Sequence, residues 1–144
     1  MSLLSKSVFS FEKTWGIRNR HFVILDLILL PAATVIAFIL RLNTAEFAKN
    51  TAQLMVFIGI SVPVKMIVFR YLGIYGRLWR YASVDELILI VTSSMIGALI
   101  SAGLLFGVAI PIGTIGGFPR SIPFIDAILT MIAVSYTHLT LPTN

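Results

Sequence analysis

The chain of 144 residues contains no cysteine and few charged residues. The lack of cysteine excludes disulfides, thiolate metal sites and cysteine nucleophiles. Charged residues make up only 12% of the sequence, whereas soluble domains carry about 25%. With 58% hydrophobic residues and a mean hydropathy of +0.97, this shortage of charge predicts an integral membrane protein.

Recognisable catalytic motifs are also missing from the sequence. The glycines of GTIGGF (113–118) do not spell GxGxxG, and the sequence contains no P-loop and no arguable Ser/His/Asp set. His21 and His138 are far apart and belong to no cluster of Cys, Asp or Glu, which argues against a metal site. Taken alone, the sequence therefore predicts a small helical membrane module with no catalytic, cofactor-binding or metal-binding residues.

Four apolar segments are candidates for membrane-spanning helices, because a span needs about 20 predominantly apolar residues. These segments are residues 22–40, 51–69, 84–106 and 122–134 onward. Pro31 and Pro63 would kink the first two, and the lack of apolar/polar alternation disfavours a β-barrel. The predicted fold is all-α, a four-helix transmembrane bundle over residues 22–134 that follows an N-terminal cytoplasmic segment, residues 1–21.

Basic residues near the ends of the spans predict the orientation, because they are more frequent on the cytoplasmic side. The N-terminal segment and the loop after span two carry seven of them, and the other two loops carry three. The seven are Lys6, Lys13, Arg18, Arg20, Arg70, Arg77 and Arg80, and the three are Arg41, Lys49 and Arg120. The prediction places the N-terminus and residues 70–83 inside, and residues 42–50 and 107–121 outside. The net charge of +5 is thus assigned to topology and lipid head groups, with the bilayer and not nucleic acid as the partner.

The segment FRYLGIYGRLWRYASVDE (69–86) is both basic and aromatic. At helical spacing its three arginines share one side, and an aromatic and apolar set shares another. That second set is Tyr71, Tyr75, Leu78 and Ala82. The pattern favours a short helix in the cytoplasmic interface over a plain positive loop. Ser83 and Glu86 have the spacing of a capping box and predict the start of span three.

Two charged residues, Asp26 and Lys65, lie inside the apolar segments near the predicted cytoplasmic ends of spans one and two. A charge in that position is usually paired or functional. The first hypothesis is a structural Asp26–Lys65 ion pair. Alternatively, Lys65 extends to the head groups, and Asp26 meets a hydroxyl or an arginine of residues 70–83. A proton- or cation-coupling role for Asp26 is a third reading.

Span three carries a row of small residues, Ser93, Gly97 and Ser101, spaced by four. Such rows let helices approach closely. Packing inside the bundle is favoured over a dimer seam. Asp126 lies near the outer end of span four, where Arg41 and Arg120 are its candidate partners.

Three segments together resemble the membrane domain of CapD-type polysaccharide biosynthesis proteins, which are membrane-bound nucleoside-diphosphate-sugar epimerases and dehydratases. GIYGRLWRYASVDEL (73–87) resembles their G-x-Y-x-x-x-W-R-Y-x-S signature, and RNRHFVILDLILL (18–30) is similar to their basic entry into span one with its aspartate. GFPRSIPFID (117–126) resembles their P-R-S-V/I-P element before span four. The positions that match the signatures are Tyr75, Trp79, Arg80, Tyr81, Ser83, Pro119, Arg120 and Ser121.

The resemblance implies a four-span anchor in the bacterial inner membrane, followed by a cytoplasmic Rossmann-type domain that binds NAD(P) and acts on a UDP-sugar. No position of this chain matches the nucleotide loop or the catalytic residues of that domain, so this fragment is expected to be inactive. Other glycan-synthesis membrane enzymes and a second copy of the chain are candidate partners. The alternatives from other classes are a stand-alone small four-span transporter, with Asp26 as the coupling acid, and a membrane scaffold.

The last ten residues, SYTHLTLPTN (135–144), depart from the family pattern, which continues into a basic cytoplasmic linker. The string resembles a translated sequencing adapter. Residues from about 135 are therefore predicted to be non-native, with a genuine short C-terminus as the alternative.

Overall fold

The computed structural model describes residues 18–76 and 84–140. Among these residues five α-helices follow one another, and no strand occurs. They are α1 (Arg18–Arg41), α2 (Thr44–Lys49), α3 (Thr51–Tyr71), α4 (Val84–Leu104) and α5 (Ile122–Thr140). A 3₁₀ turn (Ile74–Gly76) follows α3, and a π-helical turn (Leu105–Ala109) extends α4.

In the described part of the chain, three helices are long and apolar enough to cross a membrane, and they cover His21–Arg41, Thr51–Tyr71 and Val84–Ala109. The apolar part of α5, Ile122–His138, is shorter. The predicted all-helical fold is thus confirmed over the described residues, with three helices that could span a membrane. Pro31 and Pro63 lie within α1 and α3, which continue on both sides of them.

The four long helices pack in a ring, in which α1 contacts α3 and α5, and α4 contacts α3 and α5. α1 and α5 are antiparallel, because Arg41 contacts Ser121 at one end and Asp26 contacts His138 at the other. These contacts define two ends of the bundle. The Arg41 end carries α2 and residues 110–121, and the Tyr75 end carries the 3₁₀ turn.

The connection before α5 folds into the bundle at the Arg41 end. Phe118 is only 6% exposed, and its ring packs against those of Phe38, Phe57 and Phe106 with centroids 5.7, 5.3 and 6.2 Å away. The side-chain amide of Gln53 donates to the carbonyl of Gly116 at 2.9 Å and holds this connection against α3. Asp126, four residues after the start of α5, is bonded to Thr34, which lies seven residues before the end of α1. α5 therefore begins deeper in the bundle than α1 ends.

The segment after α3 differs from the continuous helix that the sequence pattern favours. Gly73 has a φ of 77°, which breaks the helical path after Tyr71. As a result Tyr71 is 89% exposed while Tyr75 is 8% exposed, so the two tyrosines do not share a face. The interfacial helix is predicted over residues 70–82, and its remainder, residues 77–82, lies outside the described residues.

Candidate functional site in the bundle core

A buried ion pair between Lys65 and Asp126 joins α3 to α5. Lys65 Nζ lies 2.5 Å from Asp126 Oδ2 and donates a second hydrogen bond to Thr130 Oγ1 at 2.8 Å. The hydroxyl of Thr34, on α1, donates to Asp126 Oδ1 at 2.8 Å. All four side chains are at most 1% exposed. Because both carboxylate oxygens of Asp126 are engaged, the pair ties three helices to one point.

The fourth long helix, α4, packs against Lys65 at a glycine. A β-carbon built on Gly97 of α4 would lie 3.1 Å from Lys65 Cγ, closer than side chains normally approach. Ser93 and Ser101, one turn to either side, are also buried, so this row faces the interior of the bundle. The small residues therefore make room for the stem of Lys65, which is the bundle-packing role that the sequence favoured.

A second buried acid, Asp26, lies nearer the Tyr75 end. Its Oδ2 accepts a hydrogen bond from the hydroxyl of Tyr75 at 2.7 Å, and His138 Nε2 lies 3.4 Å from the same oxygen. Among the described residues no partner donates a hydrogen bond to Asp26 Oδ1. Burial and the charge of the nearby Asp26 carboxylate raise the pKa of the Tyr75 phenol above its ordinary value. Tyr75 therefore keeps its proton and acts as a donor that attaches the 3₁₀ turn to α1.

The prediction that Lys65 pairs with Asp26 is wrong, because Lys65 binds Asp126. Side chains in a helix tilt toward its N-terminus. α1 and α3 run in opposite directions, so Asp26 tilts toward the Tyr75 end and Lys65 toward the Arg41 end. Because α5 begins deeper in the bundle than α1 ends, Asp126 lies at the depth that the ammonium of Lys65 reaches. Lys65 is fully buried, so it does not extend to the head groups either.

Asp126 likewise meets neither of the arginines expected for it. Arg41 Nε instead donates to Ser121 Oγ at 2.7 Å, one turn and more before Asp126 in the chain. Arg120 is exposed. Asp26 meets a hydroxyl of residues 70–83, as the alternative interpretation of that residue expected.

The structure brings together some of the residues matched to the family signatures. Asp26 and Tyr75 form a hydrogen bond, Ser121 binds Arg41, and the carbonyl of Pro119 accepts from the Ile122 amide at 3.2 Å. Glu86 lies in the first turn of α4. Trp79, Arg80, Tyr81 and Ser83 lie outside the described residues.

Sequence reasoning missed the two threonines of the Lys65–Asp126 cluster. Thr130 follows Asp126 by four residues, which places both on one face of α5 and was a usable signal. Thr34 carried no such signal, since it lies alone in an apolar run. Within residues 18–76 and 84–140, no group of three or more His, Cys, Asp or Glu is placed to hold a metal ion.

α5 continues to Thr140, beyond the residue at which the adapter-like string begins. His138 belongs to that string, and its ring stacks on Phe22 with centroids 4.9 Å apart. That residues 135–144 are non-native stays a prediction. The Asp26–Tyr75 hydrogen bond does not involve this stretch.

The three long apolar helices indicate a multi-pass membrane protein, and buried charged residues connect helices in its core. Comparison with protein-family models, with curated proteins and with solved structures finds no match to the chain. The resemblance to CapD-type proteins therefore stands on the three segments quoted above.

Proposed function

We propose that the chain is the four-span membrane anchor of a CapD-type nucleotide-sugar epimerase or 4,6-dehydratase of the bacterial cytoplasmic membrane. The N-terminus and residues 70–83 face the cytoplasm, where the catalytic domain of the parent enzyme binds NAD(P) and a nucleotide sugar. The anchor has no catalytic residue of its own. It holds the enzyme at the membrane, where glycan-synthesis partners act on its product.

One observation carries this proposal, which is the hydrogen bond between Tyr75 and Asp26. These residues belong to two of the three segments that resemble the family, and 49 positions separate them in the chain. The third segment supplies Ser121 to Arg41 and Asp126 to Lys65. Motif residues that meet in the core have a shared packing role, which is what an anchor domain requires of them.

The fourth span of this proposal is α5. Its 19 residues extend about 28 Å at 1.5 Å per residue, close to the roughly 30 Å of a bilayer core. The last six of these residues belong to the stretch predicted to be non-native, and residues 122–134 alone extend about 20 Å. In the parent enzyme the native continuation of the chain completes the span. The folded-in connection that carries Phe118 shortens the distance that α5 has to cover. Its packing against both α1 and α4 supports the same assignment.

Single introduced cysteines test the topology without background labelling, because the chain has no cysteine of its own. Cysteine at Lys49 or Thr114 is expected to react with a membrane-impermeant maleimide in intact cells. Cysteine at Leu72 is expected to react only after the membrane is permeabilised. Labelling of all three in intact cells, or of Leu72 alone, would contradict the proposed orientation.

Sequencing the source gene across codon 134 tests the enzyme assignment. We expect the reading frame to continue through a basic linker into a GxGxxG loop within several dozen codons. A stop codon in that stretch would remove the enzyme assignment and leave a stand-alone membrane protein.

A transporter with Asp26 as the coupling acid is the second candidate, favoured by one observation. Asp26 is fully buried, and its Oδ1 has no hydrogen-bond partner among the described residues. An efflux assay with Asp26→Asn separates the two functions. Under the anchor proposal the variant folds and supports the parent enzyme, and neither it nor the wild type exports drugs. Export by the wild type that Asp26→Asn abolishes would favour the transporter.

A further inference from the structure

A groove lies at the Arg41 end of the bundle, between the end of α4 and the beginning of α5. Its volume is about 650 Å³, within the range of roughly 300–1,000 Å³ that ligand sites occupy. Its lining is apolar and aromatic except for one arginine. The lining residues are Ala102, Phe106, Ile110, Gly117, Phe118, Arg120 and Phe124.

One wall of the groove is an elongated stripe. Ala102, Phe106 and Ile110 follow one another at intervals of four along α4 and its extension. The π-helical turn Leu105–Ala109 lies within this stripe, and the Ile110 amide donates to the Leu105 carbonyl at 3.0 Å. π-helical turns are rare and occur frequently at functional sites. The stripe has the shape that suits an extended hydrocarbon chain.

The charge of the groove lies at one place, where α5 begins. Arg120 is exposed and forms no hydrogen bond or ion pair with a described residue, unlike Arg41, which binds Ser121. Phe124 lies in the first turn of α5, so the partial positive charge of this helix end adjoins the same groove. A guanidinium beside a helix N-terminus favours an anion with phosphate geometry.

We propose that this groove binds an anionic phospholipid of the surrounding leaflet. One acyl chain lies along the α4 stripe against Phe118 and Phe124, and the phosphate accepts hydrogen bonds from Arg120. The proposal rests on the membrane-spanning part of the proposed function and not on the enzyme assignment. A stop codon after position 134 would therefore leave it intact.

Native mass spectrometry of the 144-residue chain in neutral detergent tests the proposal. The chain is mixed with equal amounts of phosphatidylglycerol and phosphatidylcholine, and the lipid adducts are counted. We expect the wild type to retain phosphatidylglycerol preferentially. Arg120→Gln is expected to weaken that adduct about tenfold, the effect of losing one charge-assisted hydrogen bond. An excess of inorganic phosphate is expected to leave the lipid adduct in place.

Lys49→Gln is the matched control, because Lys49 is exposed and shares the predicted membrane side with Arg120 but does not line the groove. It should retain phosphatidylglycerol as the wild type does. Phe124→Ser should weaken both lipid adducts while keeping their ratio. If Arg120→Gln does not fold, Arg120→Lys replaces it, and an intermediate preference is expected because lysine keeps the charge without the planar fork. Equal losses in Arg120→Gln and Lys49→Gln, or displacement of the lipid by phosphate, would overturn the proposal.

Discussion

Both ends of the bundle have a buried apolar cluster, but the buried polar contacts between helices lie only from the middle to the Tyr75 end in the part of the chain that the structure describes. At the Arg41 end, four phenylalanine rings from α1, α3, the π-helical turn and the connection before α5 pack edge to face or tilted. From the middle to the Tyr75 end, directional polar contacts join the helices, first at Lys65–Asp126 and then at Asp26–Tyr75.

This difference shows how a small membrane bundle fixes the register of its helices. In a bilayer, lipid tails are as apolar as the side chains, so apolar contact alone gives little preference for one register. The phenylalanine rings contribute shape and close packing. The polar contacts allow only one sliding position of α5 against α1 and α3, because Asp126 has to meet both Lys65 and Thr34.

Breaking the polar contact in the middle should have the largest effect. Asp126→Ala leaves the Lys65 ammonium buried without its counter-charge, and we expect the free energy of unfolding to fall by about 3–5 kcal/mol. Unfolding in mixed micelles with increasing SDS measures this change.

The control for that prediction replaces both charges at once. In Lys65→Met/Asp126→Leu the buried ion pair gives way to apolar side chains of similar size, and most of the lost stability should return. A double variant as unstable as Asp126→Ala would show that the ion pair is not the source of the loss.

Breaking the aromatic end should cost somewhat less. Phe118→Ala removes the ring that contacts Phe38, Phe57 and Phe106, and the cavity should lower the unfolding free energy by about 3 kcal/mol. This is the low end for a buried phenylalanine, because lipid tails are as apolar as the ring. Phe124→Ala is the matched control, since Phe124 is 73% exposed and its removal leaves no cavity. Equal losses in the two variants would mean that the ring cluster does not hold the connection.

The same comparison separates what could be predicted from what could not. The apolar runs predicted the all-helical fold. The partner of Lys65 could not be predicted, because it depends on how far from the Arg41 end of the bundle α5 begins. The connection before α5 packs through Phe118 against rings that are far from it in the chain, and GGFPRS (116–121) carries no periodic signal of that packing. The end of the helical path at Gly73 could not be predicted from amphipathic spacing either, because that spacing does not show which residue adopts a positive φ.

A substitution at the Tyr75 end should lower the free energy of unfolding less than one in the middle of the bundle. Tyr75→Phe removes one hydrogen bond to the Asp26 carboxylate and should cost about 1–2 kcal/mol near neutral pH. The variant keeps the ring, so packing against Ile74 and its neighbours is little changed. Tyr71→Phe is the control, because Tyr71 is 89% exposed and should have almost no effect.

The Tyr75 contribution should also depend on pH in one direction. The phenol has its pKa raised from 10.0 in the folded chain, so above about pH 10 the unfolded chain releases this proton while the folded chain keeps it. The stability of the wild type therefore falls as the pH rises above 10, and the difference from Tyr75→Phe should narrow. A difference that stays constant through that range would show that the phenol is not shielded by burial and by Asp26.

The smallest loss of stability is expected from a substitution at Gly97, where α4 packs against the stem of Lys65. Alanine at Gly97 places a β-carbon 3.1 Å from Lys65 Cγ, and the lysine stem has to move by a few tenths of an ångström. Because Lys65 Nζ is held by Asp126 and Thr130, this movement strains those bonds, and we expect a loss of about 1 kcal/mol. Gly59→Ala on α3 is the matched control, since a β-carbon there meets nothing within 4 Å and alanine should gain about 0.5–1 kcal/mol from helix propensity. If Gly97→Ala gains as much as Gly59→Ala, α4 does not press on the lysine, and the polar contact joins three helices and not four.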